Sequence, residues 1–188
     1  MKNILIINGD LFKTEATEFL INAYAMGAKD GNHRVKTIAI ADHLFNFNRQ
    51  FPHSHTARLE TDLEAAWRQI LWANHVVLFC PVFATYIPSK VSGFFERLFN
   101  QAEHAIHAWT NRTLQGRSAR IVSILDERLF EEWSLEKKAN FMAIKKDVFK
   151  RVHFHPVNTA TIGHLHQLDN NYSRKWTAKL HGFGVKAI

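Results

Sequence analysis

Thr61-Asp62-Leu63-Glu64-Ala65-Ala66-Trp67-Arg68-Gln69-Ile70-Leu71-Trp72-Ala73 leads through Asn74 into His75-Val76-Val77-Leu78-Phe79-Cys80-Pro81, and Pro88 then precedes Ser89-Lys90-Val91-Ser92-Gly93-Phe94-Phe95-Glu96-Arg97-Leu98-Phe99-Asn100-Gln101. The apolar period changes twice along this stretch. In the first piece Leu63, Ala66, Trp67, Ile70 and Leu71 recur at helical spacing. The second piece is apolar without a break from Val76 to Cys80, as a strand covered on both faces must be. The third returns to helical spacing with Val91, Phe94, Phe95 and Leu98, and Pro88 stands just ahead of it, where a helix tolerates proline. The stretch therefore predicts helix, buried strand, helix.

Working outward, the same alternation continues. Lys2–Asn8 reads as a buried strand ending in Asn-Gly, and Thr14–Lys29 as a helix with Ala16, Phe19, Leu20, Ala23 and Ala28 on one stripe, ended by Gly31. Arg34–Ile40 is rich in β-formers and reads as a second strand, and Asp42–Thr56, without period, as a long loop. Ala119–Leu125 is a fourth strand. Leu135–Lys150 is a helix with Ser134 as its cap. Val152–Ile162 contains a fifth strand broken by Pro156. Asn171–Leu180 is a last helix stopped by Gly182. Five strands alternating with helices predict one domain over residues 1–188, an α/β fold with a doubly wound, five-stranded parallel sheet and helices on both faces. Ligands of such sheets lie beyond the carboxyl ends of the strands. That directs attention to Gly9–Thr17, Pro81–Pro88 and Asp126–Trp133.

Composition narrows the classes. The chain has 188 residues, 46% hydrophobic and 22% charged, enough for one sizeable core. A single cysteine, Cys80, excludes a disulfide framework and any multi-cysteine metal site, and at a buried strand end it reads as apolar filler. No apolar run is long enough to span a membrane, and the opening Met1–Ile7 run is too short for a signal peptide, so a cytoplasmic protein without membrane insertion is expected. The net charge of +7 is uneven: from Lys137 onward ten Lys/Arg face only Asp147 and Asp169. A solvated helix face is the ordinary explanation, and with no zinc-finger or RNP-type pattern a nucleic-acid partner is not expected. The twelve histidines include His53/His55, His153/His155 and His164/His166, two apart, and His104/His107, three apart. None of these pairs has the further ligands a metal needs, so no metal site is expected.

Between the first strand and the first helix lies Gly9-Asp10-Leu11-Phe12-Lys13-Thr14-Glu15-Ala16-Thr17. Free amides and a helix amino end favour a phosphate there, and Thr14, Thr17 and Lys13 add donors. Asp10 and Glu15 repel one, which leaves a capped helix start as an equal alternative. The segment has neither the Walker ending nor the dinucleotide glycine spacing. Pro81-Val82-Phe83-Ala84-Thr85-Tyr86-Ile87-Pro88 is a proline-stiffened aromatic loop, suited to hold a flat heterocycle or to plug the core.

Residues 62–81 and 87–99, with the Trp-Ala-Asn-His turn, the strand ending in proline, the aromatic loop and the Lys-x-x-Gly-Phe-Phe-Glu-Arg-Leu-Phe helix, resemble the flavodoxin-like NAD(P)H quinone oxidoreductases. Val157–Gly163 and Gln167–Lys179 resemble the end of the same family, and the Ile-Asn-Gly opening is similar to its modulator-of-drug-activity branch. The resemblance implies a flavodoxin-like fold and a homodimeric flavoprotein carrying FMN or FAD. NAD(P)H would be the co-substrate, and hydride would reach a quinone or similar planar acceptor through the flavin. It also implies cofactor contacts at Asp10, Phe12, Thr14, Ala16 and Thr17 for the phosphate. Pro81, Val82, Phe83, Ala84, Thr85 and Tyr86 would line the ring, and Leu125, Asp126 and Glu127 its far edge. It singles out no catalytic acid or base. The chain departs from the pattern in having Ala84 where members often carry Trp, and Leu125-Asp126-Glu127-Arg128 where members have a glycine-bearing loop. Those departures keep open a flavin-free or weakly flavin-binding regulatory subunit of the same fold.

Overall fold

The computed structural model describes residues 1–46, 59–82, 87–100, 114–126, 129–131, 148–150, 152–163, 165 and 170–188. Five strands, β1 (Asn3–Asn8), β2 (Arg34–Ala39), β3 (His75–Val82), β4 (Ser118–Leu125) and β5 (Val157–Gly163), form one sheet in the order β2-β1-β3-β4-β5. Every neighbouring pair is parallel. Four helices are described: α1 (Glu15–Asp30), α2 (Thr61–Trp72), α3 (Ser89–Asn100) and α4 (Asn171–Lys186). This is the doubly wound arrangement that the alternating periods predict.

One face of the sheet presents Leu5, Ile7, Val76, Leu78, Cys80, Ala119 and Ile121 to α2 and α3. Val91, Phe94, Phe95 and Leu98 are at most 2% exposed, so the α3 stripe is core and is not available as a seam between subunits. Its rings interlock, with Phe94 and Phe95 edge to face at 5.3 Å and Phe95 stacked on Phe99 at 6.0 Å. Burying each such ring contributes about 1.5–3 kcal/mol, and each aromatic pair adds about 0.5–1.5 kcal/mol. The other face sets Ile4, Ile6, Val77, Phe79, Val122, Ile124 and Ile162 against α1 and α4. Here the helices approach until backbones touch. A Cβ on Gly27 would lie 2.0 Å from the His181 carbonyl oxygen, and one on Gly184 would lie 2.3 Å from that of Tyr24.

Three expectations change. β3 does not stop at Cys80 but runs through Pro81 to Val82. Its pairing with β1 ends at Phe79, and beyond that point it is paired only with β4, so a missing N–H is tolerated. Pro156 does not break β5 but precedes it, because the strand begins at Val157. α4 does not stop at Gly182 but continues to Lys186, its burial of Leu180 and Gly184 outweighing the poor helix propensity of glycine. Of the expected helix Leu135–Lys150 only residues 148–150 are described, and of the expected loop Asp42–Thr56 only residues 42–46, the first closing a 3-10 turn, Ile40–Asp42. Arg174, Lys175, Lys179 and Lys186 lie on the solvent side of α4, as a solvated basic face requires.

Candidate functional site

β1, β3 and β4 end at one edge of the sheet. The chain leaves β1 through Gly9, whose amide donates to the Phe79 carbonyl at 2.7 Å. A Cβ here would stand 2.8 Å from that same oxygen, so the close approach of loop to strand needs glycine. Asn8 then fixes the start of the turn. Its Oδ1 accepts from the Asp10 amide at 2.8 Å, while its Nδ2 donates to Glu18 Oε1 at 2.7 Å.

Asp10 is 1% exposed and its carboxylate turns back into its own loop. Oδ1 accepts from the Phe12 amide at 2.9 Å. Oδ2 accepts from the Thr14 amide at 2.9 Å and from the Thr14 hydroxyl at 2.6 Å. The Thr14 and Thr17 hydroxyl oxygens are 3.0 Å apart, and Thr14 Oγ1 accepts from the Thr17 amide at 3.4 Å, which caps α1. Burial pushes the Asp10 carboxyl up. The hydrogen bonds from the Thr14 side chain, the Thr14 and Phe12 amides and the Thr17 side chain outweigh it and hold the group below its ordinary 3.8. Asp10 is therefore an anion at neutral pH, seated in an anion cradle made by its own chain. The segment is the capped helix start, and its donors are turned on the chain's own carboxylate.

The other residues of the segment take lesser places. Phe12 points outward and is 79% exposed, so only its amide serves the cradle. Lys13 adopts φ +50° and its ammonium pairs with Asp42 rather than turning toward the loop. Ala16 packs on the α1 side of the core.

At the ends of β3 and β4, Pro81 and Val82 are buried, and Val82, Leu125 and Leu129 form a small apolar cluster with Phe130 against it. Asp126 Oδ1 accepts from the Leu129 amide at 2.8 Å, capping the turn at residues 129–131. Phe83, Ala84, Thr85, Tyr86, Glu127 and Trp133 lie outside the described residues. Cys80 is fully buried. Burial first, and the Asp10 charge second, push its thiol up to about 12, so it is inert filler and not a nucleophile. The structure thus brings Asp10, Thr14 and Thr17 into one cluster and Val82, Leu125 and Asp126 to the same sheet edge. Among the described residues no group of three or more His, Cys, Asp or Glu is placed to hold a metal.

Two residues escape the sequence reading. Asn8 looks like the end of a strand, yet it anchors the turn on both sides. Tyr172, on α4, donates no motif signal, yet its hydroxyl accepts from the Gly163 amide at 2.8 Å and ties α4 to the end of β5. A signal for the self-contained turn did exist. An aspartate at a loop start reaches the amide two residues on, here Phe12, as in an Asx turn.

A flavin phosphate would ask for the donors at Phe12 and Thr14. Their chemistry suits an anion, but the Asp10 carboxylate already holds them, and a second anion beside it is repelled. The loop as folded does not fit a phosphate.

The family described as a flavodoxin-like fold matches residues 2–179. Among solved structures, Smu.1420 from Streptococcus mutans UA159 is 20% identical, with a TM-score of 0.78 over 98% of this chain and 99% of that one. An NAD(P)H:quinone oxidoreductase from Methanothermobacter marburgensis is 14% identical, with a TM-score of 0.74 over 98% and 95%. An FMN-dependent NADH-azoreductase from Bacillus anthracis, in complex with FMN, is 13% identical, with a TM-score of 0.70 over 98% and 98%. At these identities the likeness is one of fold. No curated protein sequence matches the chain.

Proposed function

The chain belongs to the flavodoxin-like fold family, and from that premise we propose that it is a flavin-using NAD(P)H oxidoreductase acting on quinones or similar planar acceptors. The observation that carries the reading is the shared edge where β1, β3 and β4 end, with apolar Val82 and Leu125 beside the loop that holds Asp10. This is the position at which doubly wound sheets take their ligands. A flavin of the FMN or FAD class, held by its ring with its phosphate clear of the Asp10 loop, would supply hydride transfer between nicotinamide and acceptor when bound. The protein's share is orientation. Gly9 draws the first loop against β3, Pro81 stiffens the exit from it, and Asp126 fixes the turn after β4. We further propose a single domain that works as a homodimer in the cytoplasm. Among the described residues no helix is long and apolar enough to cross a membrane.

A second reading, a flavin-free binding or regulatory subunit, is favoured by one specific observation, the occupation of the cradle by Asp10. Purified apoprotein titrated separately with FMN, FAD and riboflavin, then given NADH or NADPH and a soluble quinone, separates the two. The oxidoreductase reading predicts uptake of at least one flavin and acceptor-dependent oxidation of the nicotinamide. A protein that stays colourless and inert with all three belongs to the second reading.

A further inference from the structure

We propose that Asp10 is the resident anion of the β1–α1 loop, a built-in substitute for a cofactor phosphate, so that this chain selects against phosphomonoesters at the edge of its sheet. The geometry has three parts. The donors around the carboxylate are those a phosphate would use at a helix amino end: the Phe12 amide at 2.9 Å, the Thr14 amide at 2.9 Å and the Thr14 hydroxyl at 2.6 Å. The carboxylate is not a passing visitor. Its own amide is pinned by Asn8 Oδ1, Asn8 is pinned in turn by Glu18, and the preceding Gly9 is bonded to the Phe79 carbonyl. The cation that would help draw a phosphate inward, Lys13, is paired with Asp42 instead. The three donors that hold Asp10 are not left for a second anion, and any neighbouring amide would place it beside the Asp10 charge. An entering phosphate must turn Asp10 out of a buried position and break three charge-assisted bonds, or share the cradle with a negative charge. The ligand class that follows is a planar aromatic without a phosphomonoester at this loop. Riboflavin and FMN should then look alike to the native protein.

The part of this inference that concerns flavin rests on the oxidoreductase reading; the part that concerns the cradle does not. The experiment has an arm for each. In the first, inorganic phosphate is titrated into the native full-length protein and into Asp10→Ala, with melting temperature and calorimetric heat as readouts. Phosphate should leave the native protein unmoved, and should bind and stabilise Asp10→Ala. Equal binding to both proteins, or binding to neither, overturns the proposal. Asp10→Asn serves if the alanine variant does not melt cooperatively. It keeps the size of the side chain, removes the charge and replaces one acceptor with a donor, and it should also gain phosphate binding. In the second arm, FMN and riboflavin are titrated by flavin fluorescence. The native protein should bind the two within about threefold of each other, and Asp10→Ala should tighten FMN by about tenfold or more with riboflavin little changed. A native protein that prefers FMN by tenfold or more overturns the proposal. If phosphate binds the variant alone and neither flavin binds either protein, Asp10 is still the resident anion and it is the oxidoreductase reading that fails.

Discussion

Asp10 and His75 stand at opposite ends of the central strands, Asp10 just past the carboxyl end of β1 and His75 at the amino end of β3. They are equally hidden, at 1% and 0% exposure. Their charge states are opposite. Asp10 meets three donors in its own turn and stays ionised. His75 has one hydrogen bond, Nδ1 to Ser118 Oγ at 2.7 Å, while its Nε2 has no partner. Burial first, then the charges of Lys2 and Arg120, push its imidazole down to about 3, so it is neutral throughout the physiological range. The lesson is that burial alone does not decide whether a side chain keeps its charge; the number and sign of the groups aimed at it do. The anion with a full set of donors stands at the carboxyl edge, where doubly wound sheets take their ligands, and the neutral ring at the opposite edge.

The pH dependence of stability separates the two ends most strongly. His75 is neutral in the fold and takes up a proton in the unfolded chain below its ordinary 6.5, so its contribution is whole above 6.5 and is lost as pH falls toward about 3. The full loss is on the order of 5 kcal/mol. Urea unfolding of the native protein between pH 7 and 4 should show this decline, and His75→Gln should flatten it; an unchanged slope in the variant removes His75 as its source.

A smaller effect is expected at the other end. Asp10→Ala leaves three donors without their acceptor and should cost about 2 kcal/mol at pH 7. The sign with pH differs from that of His75. The Asp10 carboxyl is held below its ordinary 3.8, so its contribution is present above that value and disappears only as pH falls through the lower folded value. The gap between native and Asp10→Ala should therefore be constant from pH 7 to 5 and close below pH 4. A gap that already closes near pH 6 would mean that Asp10 is not held as an anion. Next in size, Thr14→Val removes the 2.6 Å bond to Asp10 and the cap of α1, and should cost about 1 kcal/mol by the same unfolding assay. Smallest is Lys13→Ala. Its partner Asp42 is solvent-exposed, so the loss should be under about 0.5 kcal/mol and should fade in high salt.

Most of the fold was legible because its signals are local. The uninterrupted Val76–Cys80 run and the stripes on α1, α2 and α3 can be read from spacing alone, and the parallel sheet follows from strands alternating with helices. The misplaced ends at Pro81, Pro156 and Gly182 share one physical cause. Local rules for proline and glycine assume typical neighbours, whereas here β1 stops short beside Pro81 and α4 is held in place by its packing against α1. The candidate site was half legible. Thr14 and Thr17 beside a helix start are visible in the sequence, and Asp10 stands out as an acid where a phosphate was expected. That the acid would turn inward and consume the loop's donors depends on the conformation of residues 8–14, which includes a positive φ at Lys13 and a strand-end Asn8 acting as an anchor. The bond from the Gly163 amide to Tyr172 depends on how α4 folds back on the end of β5, which no local spacing rule encodes.

The central claim is that the loop after β1 already carries its own anion. A crystal structure of the native protein grown in millimolar inorganic phosphate tests it directly. The account predicts Asp10 Oδ2 on the Thr14 amide and hydroxyl, Oδ1 on the Phe12 amide, and no phosphate within hydrogen-bonding distance of those donors. Phosphate seated on the Phe12 and Thr14 amides, with the Asp10 side chain turned out to solvent, would contradict it.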